Sequence, residues 1–250
     1  MNNNIIFGIH PIDALQKTNH QSLQEVFILK DVNNNRLNLL KCSLQKKGIK
    51  INLVDRKIFT SKVKDDCVHQ GIVAIVKYIN QHHEEYLYKI IKNVQKPFLL
   101  ILDCITDPHN LGACIRTADA AGVDAIVIPK KRSASINKTV HKVASGGLAN
   151  TPVIRVTNLA RILCLLKKQN ILVVGTSDGL NNNLYEKTLL PPIAVVIGSE
   201  STGIRYLTRK YCDIIINIPM YGIVSSLNVS VATGICLFEI IRQRNMQKNQ

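Results

Sequence analysis

The 250-residue chain contains no tryptophan, only 5% aromatic residues, and just 17 Asp and Glu against 32 Lys and Arg. With so few rings, neither an aromatic cage nor an extended base-stacking platform is its central device. Its seven cysteines (Cys42, Cys67, Cys104, Cys114, Cys164, Cys212 and Cys236) are odd in number and scattered, with no C-x-x-C pair. Neither a disulfide framework nor a zinc site has the spacing it needs. Several lie in apolar surroundings, as in Leu163-Cys164-Leu165 and Ile235-Cys236-Leu237, and read as small core residues. No run approaches the roughly 20 apolar residues that cross a bilayer. The first residues also lack the charged start and long apolar stretch of a signal peptide. A soluble protein of the reducing cytoplasm, with no membrane partner, is expected.

Familiar catalytic signatures are missing too. There is no G-x-G-x-x-G, no P-loop and no H-E-x-x-H, which argues against a dinucleotide site, an NTPase and a zincin. His82-His83-Glu84-Glu85 offers ligand-type side chains, but neighbours in sequence point apart, so a solvated stretch is expected and no metal.

What the chain does have is charge. The net charge is +15, and phosphates attract such an excess through counterion release. A coding bias toward Asn, Ile and Lys could also raise the lysine count. The excess runs through both parts of the chain: residues 1–78 carry 12 basic and 6 acidic side chains, residues 97–250 carry 17 and 9. The cluster Lys130, Lys131, Arg132, Lys138 and Lys142 has no acid within it, and reads either as a solvated face or as a phosphate track.

Periodicity predicts a small α/β unit over 1–78, with helices at 10–17 and 36–47 and strands at 26–29, 49–54 and 71–79. Residues 79–96 read as a linker with a helical turn or two. From residue 98 apolar strands alternate with helices: strands at 98–102, 125–128, 153–156, 171–174, 193–197 and 214–218. Helices are expected at 110–121, 137–146, 159–168, near 203–210, and from 226 to about 244. That alternation predicts an α/β fold with a mostly parallel sheet covered on both faces. Ligands of such sheets bind beyond the carboxyl ends of strands. Three of those ends carry chemistry and should converge: Asp103 to Asn110, Gly198-Ser199-Glu200, and Ile218-Pro219-Met220.

Asn110 sits where a helix N-cap is expected, which would explain it without function. Arg116 has Gly112, Ala113 and Ala120 as helical neighbours, a cleared face suited to a phosphate or a neighbouring chain. The glycines of Gly198-Ser199-Glu200-Ser201-Thr202-Gly203 permit close backbone approach, and Glu200 suits a helix N-terminus. In Ser225-Ser226-Leu227-Asn228-Val229-Ser230 a serine is the expected cap. Asn228 and Ser230 are then costly inside an apolar helix unless they are hydrogen-bonded.

These stretches together resemble the SpoU/TrmH (SPOUT) family of RNA 2′-O-ribose methyltransferases. Asn110-Leu-Gly-Ala-x-x-Arg116-Thr-Ala, Gly198-x-Glu200-x-x-Gly203, and Ile218-Pro-Met220 with Ser226-Leu-Asn228-Val-Ser-Val-Ala-Thr-Gly234 match its three motifs in order. Phe7-Gly-Ile-His and Val68-His-Gln-Gly-Ile-Val-Ala extend the likeness to members that modify large-subunit rRNA. Ser201-Thr202 departs mildly from the usual second motif.

The resemblance implies a knotted methyltransferase domain over 97–250 with a deep trefoil knot. It implies a small ribosomal-protein-like (L30e-type) RNA-binding domain over 1–78, and a homodimer whose active site is completed across the interface. The implied cofactor is S-adenosylmethionine, contacted by Gly198, Ile218 and Leu227. Asn110, Arg116, Glu200, Ser226 and Asn228 would be catalytic. The implied substrate is a guanosine ribose in the P loop of 23S rRNA or its large-subunit precursor. A tRNA ribose methyltransferase of the same family is the alternative within the enzyme class, and a non-catalytic rRNA-binding or assembly protein the alternative outside it.

Overall fold

The computed structural model describes residues 4–18, 20–32, 34–62, 69–76, 82–177, 182–200 and 202–248. Cys67, Val68, Ser201 and residues 77–81, all drawn into expectations above, lie outside the described residues.

Two sheets organise the chain. The first has four strands in the order β1-β4-β2-β3: β1 (Asn4–Phe7), β2 (Leu23–Leu29), β3 (Lys50–Val54) and β4 (Ile72–Val76). β4 runs antiparallel to β1 and β2, and β2 parallel to β3. The alternation within β2 divides its faces. Val26 and Ile28 join Leu37, Leu40 and Leu44 of α2 (Asn35–Lys46) and Leu15 of α1 (Ile9–Thr18), while Phe27 packs with Phe59 of α3 (Arg56–Lys62). Three leucines at helical spacing thus fill one core, each contributing about 1.5–3 kcal/mol of burial. β1 and α3, not expected from periodicity, are short elements whose apolar residues show no full repeat.

The second sheet has six strands, all parallel, in the order β10-β8-β9-β5-β6-β7. They are β5 (Phe98–Asp103), β6 (Ala125–Pro129), β7 (Val153–Val156), β8 (Leu172–Thr176), β9 (Ile193–Gly198) and β10 (Ile214–Ile216). β5 is buried on both faces. Phe98, Leu100 and Leu102 meet α5 (Pro108–Ala120), α6 (Lys138–Val143), α7 (Gly147–Asn150) and α10 (Val229–Lys248). Leu99 and Ile101 meet α4 (Glu84–Asn93) and α8 (Leu159–Lys168). Continuous apolar strands are what a parallel sheet covered by helices requires.

Four differences from expectation have local causes. α4 is longer than a turn or two, because Leu87 is fully buried beneath the second core. His82 is not simply solvated: it bridges to Ile154 and stacks on Tyr86 at 4.0 Å, while Glu84 accepts from Thr157 N and pairs with Arg161. The helix expected over 137–146 breaks into α6 and α7 at Ser145 and Gly146, both at positive φ. A Cβ on Gly146 would lie 2.7 Å from that of Ala14, so α1 packs closely there. Last, α10 starts at Val229, three residues later than expected.

Candidate active site

β5 has β6 on one side and β9 on the other, so the chain order reverses there, the place where open α/β sheets bind ligands. β9 ends at Gly198, which pairs with Asp103 at the end of β5. The chain then doubles back. Ser199 N donates to Gly203 O at 3.1 Å, Gly203 N returns a bond to Ser199 O at 2.9 Å, and Ser199 Oγ meets Thr202 Oγ1 at 2.8 Å. The fold-back is so tight that a Cβ on Gly198 would fall 2.0 Å from Gly203 C. Only glycine fits, which is the physical content of the first glycine in that motif.

The loop presents Glu200, whose Oε1 accepts from Asn228 Nδ2 at 2.5 Å, from Asn110 Nδ2 at 3.1 Å and from Val229 N at 3.2 Å. Asn228 Nδ2 also donates to Asn110 Oδ1 at 3.1 Å. One carboxylate oxygen therefore gathers the heads of two helices, while Oε2 has no hydrogen bond among the described residues. A carboxylate at the N-terminus of the 20-residue α10 is electrostatically favoured.

The capping roles differ from those expected, and the difference explains how the cluster forms. Asp107, not Asn110, caps α5, accepting from His109 N and Asn110 N, with Pro108 in the first turn. Asn110 is thereby released to reach across 90 residues to Glu200. At α10 the cap is neither serine but Asn228, whose Oδ1 accepts from Ser230 N at 2.9 Å and Ser230 Oγ at 2.6 Å. Asn228 caps with its oxygen and holds Glu200 with its nitrogen, so its amide is fully committed.

Beside this cluster a cavity of about 270 Å³ opens at the ends of β8, β9 and β10. Gly198, Glu200, Ile218, Ser226 and Leu227, five of the eight expected site residues, line it. Asn110 and Asn228 do not line it and connect to it through their bonds to Glu200. Ile197, Ile218, Met220 and Leu227 give it apolar walls, and Thr176, Asn217 and Ser226 polar ones. Such a lining suits an amphipathic group with a flat apolar part and a polar tail. No group of three or more His, Cys, Asp or Glu that could hold a metal occurs among the described residues.

Arg116 is elsewhere. It is exposed and lines a separate cleft with His10, Asp13 and Lys17 of α1 and Asp119 of α5, with no hydrogen bond or ion pair among the described residues. Glu200 therefore does not orient Arg116 within this chain. Part of the cleared face around Arg116 also has a packing cause. A Cβ on Gly112 would come within 2.8 Å of Val143 Cβ in α6. Cys114, between the two site elements, is buried against Thr233 at 3.4 Å, and burial pushes its thiol up to about 11, so it offers no nucleophile at neutral pH.

Sequence reasoning did not assign a role to Arg205, which binds buried Asp103, nor to Asn217 and Thr176 in the cavity wall. Thr176 closes β8 and Asn217 directly follows β10, and position at a strand end is their sequence signal; Arg205, seven residues beyond β9, has none.

Comparison with known proteins covers both parts of the chain. The profile of the SpoU rRNA Methylase family matches residues 97–238, and that for RNA 2'-O ribose methyltransferase substrate binding matches residues 5–81. The chain is 51% identical over 241 residues to the 23S rRNA (guanosine-2'-O-)-methyltransferase RlmB of Escherichia coli (strain K12), covering 96% of this chain and 99% of that one. It is 49% identical over 243 residues to the protein of the same name from Yersinia pestis, covering 97% and 98%. Among solved structures, the SpoU methyltransferase AviRb from Streptomyces viridochromogenes, in complex with the cofactor AdoMet, matches with a TM-score of 0.78 at 22% identity, covering 98% of this chain and 91% of that one.

Proposed function

This chain belongs to the SpoU rRNA methylase family, and on that premise we propose that it is an S-adenosylmethionine-dependent ribose 2′-O-methyltransferase of 23S rRNA, acting on a guanosine in the P loop. The observation that carries this reading is the convergence of three distant motifs on one carboxylate, Glu200, at the mouth of a cavity at the strand ends.

S-adenosylmethionine fits the cavity on structural grounds. Gly198 and Gly203 bring backbone without side chains to the cavity wall, and apolar Ile218 and Leu227 face the same space. Gly198, Ile218 and Leu227 would hold it. When bound, it supplies a sulfonium methyl group open to in-line attack by a ribose 2′-oxygen.

The chain's own residues then position and deprotonate. Asn110 and Asn228 fix Glu200 through Oε1, leaving Oε2 to accept the 2′-hydroxyl proton. Ser226, exposed at the cavity edge, orients the ribose. Arg116 cannot serve as a base, since guanidinium stays protonated; it clamps RNA phosphate and places its cation near developing negative charge. Because Arg116 lies outside the cavity in one chain, it acts in a homodimer, at the partner's site. Exposed apolar side chains at Tyr221, Ile223, Val224 and Val231 support such an interface.

Residues 1–78 form the L30e-like substrate-binding domain and 97–250 the methyltransferase domain, threaded as the family's trefoil knot; the connection 79–96 carries α4, which packs on the core of the second sheet. Their separate sheets support that division. The setting is the cytoplasm; no helix among the described residues is long and apolar enough to cross a membrane.

The test is nucleoside analysis. Undermethylated ribosomal RNA incubated with the protein and S-adenosylmethionine should yield 2′-O-methylguanosine on digestion. A base-methylated nucleoside, or none, would refute the reading.

A further inference from the structure

Asp103 is fully buried, yet the chemistry above gives it no task. It ends β5 and pairs in the ladder with Gly198, the residue at which the active-site loop begins. Its Oδ2 accepts from Arg205 N at 3.1 Å, and its Oδ1 from Arg205 Nε at 2.8 Å, with a second guanidinium nitrogen at 2.7 Å. Arg205 lies two residues beyond Gly203, where the same loop ends. One buried carboxylate thus sits beside the start of the loop and grips its return.

A buried carboxylate is costly unless well paired, and an apolar pair would anchor two elements at least as well. What the ion pair adds is direction. A planar guanidinium fork and a backbone N–H approach the two oxygens along fixed lines, so the returning chain has one position and not a range. The segment between carries Glu200, which must meet Asn110 Nδ2, Asn228 Nδ2 and Val229 N together on a single oxygen. The same segment, through Ser199, Thr202 and Gly203, forms one wall of the cavity.

We propose that the Asp103–Arg205 pair is the positioning clamp of the loop 198–203, setting Glu200 against Asn110 and Asn228 and fixing the cofactor-side wall of the cavity. Asp103 and Arg205 are positioning residues, since neither lines the cavity. The inference rests on the methyltransferase reading for its kinetic consequence but not for its structural one.

Asparagine cannot replace Asp103 silently. Oδ1 takes the guanidinium and Oδ2 the backbone N–H, so an amide must turn its NH₂ toward one of these donors. Lysine at 205 keeps a cation and the backbone bond, whereas alanine keeps only the bond. The test uses the full-length chain with Asp103→Asn, Arg205→Ala and Arg205→Lys. Its readouts are S-adenosylhomocysteine affinity by calorimetry, kcat and KM for rRNA, and amide exchange at Thr202, Gly203 and Ile204 against the β5 amides.

Asp103→Asn should lower kcat by about tenfold or more, as small displacements of reacting groups do. It should weaken S-adenosylhomocysteine binding several-fold and speed exchange at 202–204 alone, with KM for RNA within about twofold. Arg205→Lys, which keeps a cation but not the fork, should recover only part of kcat, about threefold or more above Arg205→Ala but below wild type. The proposal is overturned if Asp103→Asn keeps kcat and affinity, if exchange rises evenly through the sheet, or if lysine and alanine at 205 behave alike. Should Asp103→Asn fail to fold, the Arg205 pair decides by the same criteria. A wild-type protein that binds S-adenosylhomocysteine but methylates no RNA sinks the methyltransferase reading, while binding and exchange still judge the clamp.

Discussion

Asn228 Nδ2 donates to Glu200 Oε1 at 2.5 Å, joining the head of α10 to the loop after β9 across 28 residues of sequence. The bond is charge-assisted and sits among two others on the same oxygen, so it fixes which carboxylate oxygen is left without a partner among the described residues.

That asymmetry makes Glu200→Gln informative. The amide oxygen can keep all three donors, so the loop and cavity should persist and S-adenosylhomocysteine affinity should stay within about twofold, because Oε1 is the anchoring atom. Loss of a proton-accepting oxygen at Oε2 should lower kcat by about 10²-fold or more. Unchanged turnover would make Glu200 a purely structural anchor.

Arg116→Ala should separate binding from chemistry. Arg116 lines a cleft beside α1 and not the cavity, so calorimetric affinity for S-adenosylhomocysteine should barely move. Turnover should fall below detection if, as proposed, Arg116 is the phosphate clamp, since the variant removes clamp and cation together. A variant that methylates at the wild-type rate would contradict the role given to Arg116.

The core was largely legible in the sequence, because apolar runs of strand length flanked by helical repeats admit few arrangements. The strand 98–102 and the helix 159–168 are cases, with Leu159, Ile162, Leu163 and Leu166 all buried. The helix ends were not. Asp107, Asn110, Ser226 and Asn228 are all competent caps, and the competition is settled by Pro108 at the head of α5 and by Glu200 reaching the head of α10. Pairing within the site was equally hidden. Arg116 and Glu200 are chemically matched, yet α5 turns Arg116 away from the end that carries Asn110. Asp103 and Arg205 are 102 residues apart, and nothing in spacing joins them.

Burial lowers the proton affinity of His141 and, with the nearby charge of His83, that of His82. Both groups bind protons less readily when folded than in the unfolded chain, where histidine titrates near about 6.5. The stability they contribute is therefore fully present above that pH and is lost as pH falls through their lowered folded values. Thermal melts from pH 8 to pH 5 should show a falling Tm. In His141→Gln the fall should be smaller, by on the order of 1–3 °C for a chain of this size. An identical fall in both proteins would remove His141 from the account.

Lys130, Lys131, Arg132, Lys138 and Lys142 are exposed, and none takes part in an ion pair among the described residues. If this face tracks RNA phosphates, changing Lys130, Lys131 and Arg132 to glutamine should flatten the plot of log Kobs against log salt for rRNA, by roughly 0.7–0.9 per lost contact. An unchanged slope would identify the cluster as a solvated face.

The most direct measurement is methyl transfer from labelled S-adenosylmethionine to undermodified 23S rRNA, with the product located by mass spectrometry of nuclease fragments. The label should appear on the 2′-oxygen of a single guanosine in the P-loop fragment, and Glu200→Gln should slow its appearance by about 10²-fold or more. Label confined to tRNA, or absent from RNA altogether, would contradict the account.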